Sequence, residues 1–254
     1  MSAFAAFVLM SLRERLRRIG GLVVFGGVFL LAAGTARLIS GGEGHMELDA
    51  LFGLGGSTLV SALLMLAWLV GRFGMFATLV LMSGVFSDDR AAGHTRLYAV
   101  RPRSLLALYG ARFLVLSFLA FALAAIVLPA FDWILLGGWI GGSAFVLIAA
   151  QVLVFGSLTA LLSMATRADA WIALLLGVLA IIWDALRRAE FFHTAAPLVR
   201  QVVSMLLPPQ GALMRIETAF AGRQPVPWDA FLFVAVYAAL ALIIAGLAVN
   251  RRDL

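Results

Sequence analysis

The residues whose types and spacing could do chemistry concentrate in one stretch, 87–112, which reads SDDRAAGHTRLYAVRPRSLLALYGAR. It opens on Asp88, Asp89 and Arg90, passes Gly93 and His94, and runs through Arg96, Leu97, Tyr98, Arg101, Pro102 and Arg103 to Ser104. Charges of both signs lie here between two apolar runs. Gly93 favours a turn and Pro102 the start of a helix. The pattern predicts a short charged helix lying across a membrane surface, followed by the start of a new span. A rigid helix of this kind is suited to docking a soluble partner.

A second candidate is Arg72, which interrupts an apolar run extending from 50 to 87. An arginine at membrane depth is costly and faces a protein or water-filled interior. Two roles are open to it: a structural pair with an acid or carbonyl of a neighbouring helix, or a place in a translocation path. Other chemistries have little to work with. The chain has no Cys, so disulfides, iron–sulfur clusters and thiolate metal sites are excluded. Its three histidines, His45, His94 and His193, are far apart in sequence, which argues against a metal cluster. It has no Lys either, and a Walker A loop needs one to reach the nucleotide phosphates. No cofactor is expected on this chain.

The elements that position these residues are set by hydrophobicity. Of the 254 residues, 63% are hydrophobic and 13% charged, about half the charged share of a soluble domain. The apolar residues come in blocks of about 20, the length that crosses a bilayer. An all-α integral membrane protein is expected, as a single transmembrane domain over 1–254. Spans are placed at about 19–39, 57–86, 105–131, 138–165, 169–186 and 230–249. Residues 1–18 read as an amphipathic surface helix, with Glu14 and Arg18 spaced for a helical ion pair. They do not read as a cleaved signal peptide, because the apolar run precedes the arginines.

Loop charges orient the spans. A single long second span over 57–86 places the arginines of the 87–104 segment on the same side as Arg13, Arg15, Arg17, Arg18, Arg167, Arg251 and Arg252. The positive-inside rule then makes that side, and both termini, cytoplasmic, in a multi-pass protein of the cell (inner) membrane. Arg72 would lie about 20 Å from the cytoplasmic end of its helix. The +6 net charge follows from the same rule and does not call for nucleic acid as a partner. Gly137, Gly138, Gly141 and Gly142 form small-xxx-small patterns, expected to pack helices closely within the subunit. Asp184 and Arg188 are spaced to pair on a helix. Between the last two spans, residues 198–207 are apolar but too short to cross, and Pro208 and Pro209 end them. They read as an outer re-entrant or interfacial helix.

The 87–112 segment resembles the permeases of type-2 ABC (ATP-binding cassette) exporters. There the loop after span two carries an acid, Arg, two residues and Gly, with Pro nine residues on, then a hydroxyl residue and a small-basic pair opening span three. This chain has Asp89, Arg90, Gly93, Pro102 and Ser104, then Ala111 with Arg112. The ending Asn250-Arg251-Arg252-Asp253-Leu254, the helix before span one and the long outer loop before span six also look like the family. His94 stands where the family usually has Thr or Ser, and Arg96 where an acid is common. The resemblance implies a transport subunit, not itself an enzyme. It implies a separate cytoplasmic ABC ATPase that binds ATP and Mg, a second permease copy or a related permease, and an unidentified exported substrate. Residues 87–104 would be the ATPase-coupling segment.

Three rival readings compete. A membrane scaffold or assembly subunit could share the fold without transporting anything. An ion-coupled secondary transporter usually shows repeated halves and acids near broken helices, whereas the acids here are almost all in loops. An intramembrane enzyme needs a nucleophile–base pair or metal ligands at membrane depth, but Asp132, Asp184 and the histidines fall in loops or at span ends.

Overall fold

In lipid, each backbone N–H and C=O must be satisfied within its own segment, so apolar blocks of this length become helices. The computed structural model describes residues 3–39, 65–93, 105–137, 141–189, 202–204 and 206–252, and among these it contains helices and no strand. In chain order the helices are α1 (Ala3–Ile39), α2 (Met65–Gly71), α3 (Phe73–Met82), α4 (Ser87–Ala91), α5 (Leu105–Leu136), α6 (Ser143–Ser163), α7 (Asp169–Arg188), α8 (Gln210–Ala221) and α9 (Trp228–Arg252). Five of them (α1, α5, α6, α7 and α9) are long and apolar enough to cross a membrane. α2 and the stretch Phe73–Ala91 after it, which holds α3, the turn and α4, supply a sixth crossing if they are taken as one span bent by 51°.

α6 is the centre of the bundle and touches α3, α5, α7, α8 and α9. It buries residues all round, as expected of a helix enclosed by others. On one side Phe29 of α1, Phe73 of α3, Phe131 of α5 and Ile148 of α6 share a core. On the other, Val154 and Phe155 of α6 pack with Ala173 of α7, Leu213 and Ile216 of α8, and Val234 of α9. The outward surface is apolar: Leu31, Phe118, Ile126, Trp171 and Leu232 are all more than 60% exposed. Such a surface suits acyl chains, and the chain is a multi-pass membrane protein.

Successive long helices run antiparallel. One end of the bundle gathers the N-terminal half of α1, the C-terminus of α3, the N-terminus of α5, the C-terminus of α6 and the N-terminus of α7. The C-terminal part of α9 joins them, with Val249 packed against Leu105, Tyr109 and Met164. The opposite end holds the C-terminus of α7, the short α8 and the N-terminus of α9, tied by the Arg215–Asp229 ion pair (2.7 Å).

Several expectations change. α1 runs unbroken through residues 18 and 19, so the described part of the expected surface segment, from Ala3 on, is continuous with the first apolar helix. Nothing there breaks a helix, and its buried positions, Ser11, Arg15, Leu22, Phe29 and Ala33, keep helical spacing along the whole length. Glu14 pairs with Arg112 (3.2 Å), and Arg18 reaches Asp88 (3.8 Å) instead of Glu14. Within the expected second span, residues 57–64 lie outside the described residues and the rest is not one straight helix. The fourth begins at Ser143, after Gly137 and Gly141, whose positive φ values (+69° and +85°) place them in the connection. They therefore do not form a packing stripe within the span; Gly138 lies outside the described residues. α5 continues to Leu136 despite Pro129 inside it, and α7, at 20 residues, is long and apolar enough to cross. Asp184 pairs with both Arg187 and Arg188. Most of 198–207 falls outside the described residues, and the helix that follows Pro209 is the 12-residue α8.

Candidate functional site

The gathered end is built around a turn. α3 stops at Met82, residues 83–86 turn, and α4 begins at Ser87. A turn buried between helices leaves backbone groups that need partners. Four other helices or their flanking loops supply them. Arg15 and Arg18 of α1 both donate to the Ser83 carbonyl, the latter at 2.6 Å, and Arg18 also reaches the Val80 carbonyl at 3.1 Å. The carboxylate of Asp169, at the start of α7, accepts from the Gly84 N–H at 2.9 Å. Arg112 of α5 donates to the Val85 carbonyl at 3.2 Å. The hydroxyl of Ser163, at the end of α6, accepts from the Phe86 and Ser87 N–H groups at 2.9 and 3.0 Å. Gly84 has φ +74°, and a Cβ there would collide with the Asp88 carboxylate, so the turn requires glycine.

α4 itself has two faces. Ser87 and Asp89 are buried, while Asp88, Arg90, Ala91, Ala92 and Gly93 are exposed. Asp89 accepts from Arg112 at 2.8 Å and from the Tyr109 hydroxyl at 3.1 Å. The Tyr109 ring stacks on Phe86, with centroids 3.8 Å apart. Asp88 faces Arg15 and Arg18, each at 3.8 Å. Arg90 donates to the Met164 carbonyl at 2.6 Å, capping α6. At the other end of the bundle Arg37 caps α5 in the same way, through the Ile134 carbonyl at 3.1 Å. Arginines from neighbouring segments thus satisfy the terminal carbonyls of α3, α5 and α6, where the helix dipole favours a cation. Part of the arginine surplus is structural.

Of the predicted coupling residues, the structure brings Asp88, Asp89, Arg90 and Gly93 together at this end. His94, Arg96, Leu97, Tyr98, Arg101, Pro102, Arg103 and Ser104 lie outside the described residues. Asp169 is fully buried, so Asp169→Ala should cost about 1–3 kcal/mol by stranding the Gly84 N–H. Asp169→Asn, which keeps one acceptor, should cost less. Thermal unfolding of the detergent-solubilised variants checks both.

Arg72 stands at the break between α2 and α3 and is 7% exposed. Its guanidinium makes a two-pronged pair with Glu217 of α8, at 2.9 and 3.0 Å. The same group lies 4.1 Å over the Trp68 ring. A cavity of about 140 Å³ opens beside it, lined by Trp68, Phe76, Phe155 and Leu213 together with Arg72, Gln151 and Glu217. Arg72 thus has an acid partner from a neighbouring helix and a place in a cavity wall at once.

Ser163, Asp169, Gln151 and Glu217 belong to no sequence motif. One signal existed for Gln151, the lone carboxamide in the uncharged stretch 133–166. Among the described residues, no three His, Asp or Glu side chains gather in a way that could hold a metal ion. Compared with protein-family models, with curated proteins and with solved structures, the chain finds no match.

Proposed function

We propose that this chain is the membrane-spanning subunit of an ATP-binding cassette exporter. The observation that carries the reading is the clamped turn beneath α4. The helix presents an exposed charged face, while the turn that holds it is hydrogen-bonded to side chains from α1, α5, α6 and α7. Force applied to α4 would reach each of these helices through directional bonds, as a coupling element needs. The motif Asp89, Arg90, Gly93, Pro102 and Ser104 supports the same role.

In this reading the gathered end is cytoplasmic. Among the described residues it carries Arg13, Arg15, Arg17, Arg18, Arg90, Arg112, Arg167, Arg251 and Arg252, against Arg37, Arg187, Arg188, Arg215 and Arg223 at the other end. That bias accords with the positive-inside rule and supports a reading in which both termini are cytoplasmic and the protein lies in the inner membrane. The bent α2–α3 pair counts as the second of six spans, and α8 as an outer re-entrant helix. Two permease domains would sit on two ATPase subunits, which bind the ATP and Mg. ATPase closure would press on α4, and the spans would expose a path to each side in turn.

Native purification should recover an ABC ATPase with the chain. Ala91→Glu and Ala92→Glu, at exposed positions at and just after the end of α4, should lower ATPase-coupled transport at least tenfold with little change in melting temperature. Repeated purification with no ATPase, or unchanged coupling in both variants, would overturn the proposal.

A further inference from the structure

The bend between α2 and α3 has a specific cause. In an unbroken helix the Met75 N–H would donate to the Gly71 carbonyl, four residues back. Here it donates to Oε1 of Gln151 at 3.2 Å, and Nε2 of the same side chain donates to the Gly71 carbonyl at 2.7 Å. One carboxamide from α6 has inserted into the ladder and taken over both ends of a single helical bond. Insertion of this kind is a recognised origin of helix kinks. Arg72, between the two ends, has φ −104° and ψ 9°, and its N–H closes on the Leu69 carbonyl three residues back, at 3.1 Å. Gly74 makes the room: a Cβ there would lie 2.7 Å from the Gln151 oxygen.

We propose that Gln151 is a hinge switch that holds this span bent. When the carboxamide withdraws, Met75 N–H and Gly71 C=O are left facing each other and close the ordinary helical bond. The span straightens, and the cavity between α3, α6, α7 and α8 changes shape. The withdrawn carboxamide does not go unpartnered, because Arg72, Gln210 and Glu217 line the same cavity. Every polar group then has a partner in either state, which is the condition for a two-state element in a low-dielectric interior. Arg72 rides on the hinge and Glu217 on α8, so the pair at 2.9 Å links the bend to the helix outside it. The inference rests on the hydrogen-bond geometry and stands apart from the ATPase reading.

The test uses the absence of cysteine. Two cysteines for spin labels go on outward-facing positions, Met65 of α2 and Ile126 of α5, each 65% exposed. The full-length chain is measured in lipid nanodiscs. α2 is a lever of about 10 Å, so removing the 51° bend moves its tip by about 8 Å. Gln151→Leu, which deletes the amide at similar volume, should shift the label distance by several ångströms. Gly74→Ala, which fills the space the carboxamide occupies, should shift it the same way. An unchanged distance in either folded variant would show a static kink and overturn the proposal. Should Gln151→Leu not fold, Gly74→Ala decides. Loss of folding in both would also overturn it, because a switch needs a straightened state that is itself folded.

Discussion

Replacing Arg112 by Met should destabilise the protein by about 3–5 kcal/mol, the usual consequence of stranding a buried charge. Arg112 is 2% exposed and carries three connections: 2.8 Å to Asp89, 3.2 Å to Glu14 and 3.2 Å to the Val85 carbonyl. Its removal leaves the Asp89 carboxylate, itself 5% exposed, with only the Tyr109 hydroxyl among these partners, and leaves the Val85 carbonyl without this donor. Burial makes both losses expensive, since neither group can turn to water. The double variant Arg112→Met/Asp89→Leu should recover more than half of the loss, because the buried carboxylate goes with its counter-ion and Glu14, whose side chain is 43% exposed, can turn to water. Arg112→Lys should fall between, keeping the charge but not the fork that reaches Asp89 and Glu14 together. Denaturant unfolding of these three variants and of Asp89→Leu alone, in one detergent, gives the coupling energy. An Arg112→Met variant as stable as the parent would mean that Asp89 finds another partner.

The second large effect is expected at Arg72. Arg72→Met leaves Glu217 facing an apolar cavity without its counter-ion, and a loss of about 3–5 kcal/mol is expected. Arg72→Met/Glu217→Met removes both charges and should come within about 1 kcal/mol of the parent, since two apolar side chains need no mutual desolvation. The pair also separates the two roles open to Arg72. On the transport reading proposed above, a purely structural arginine predicts that the double variant recovers transport along with stability. If it contacts what passes through the cavity, stability returns and transport does not. Thermal melts and vesicle transport on the same preparations distinguish these outcomes.

Some of this was open to reading in the residues alone. Apolar runs marked α1, α5, α7 and α9 to within a few residues of one or both ends, because a lipid-facing helix is a local matter of length and hydropathy. The α4 segment was marked by the spacing of Asp88, Asp89, Arg90 and Gly93. Elsewhere the local signal misled. Gly137 and Gly141 sit in an uncharged run and read as part of a span, yet their positive φ puts them in a turn. Glu14 and Arg18 have ideal helical spacing for a pair, but Arg112 and the carbonyls at the end of α3 offered each a partner in a drier setting.

What the sequence by itself determined was the helical, membrane-crossing character of the chain and the places where charge would have to be accommodated. Each helix satisfies its own backbone, so its existence needs no neighbour. Only the tertiary structure decided what meets those charges and where a helix yields. Glu217 lies 145 residues from Arg72 in sequence, Gln151 lies 76 from Met75, and Asp169 lies 85 from Gly84. No periodicity encodes such distances. They are set by which helices lie side by side, and a polar group in a water-poor interior must bond to whatever that packing brings within reach.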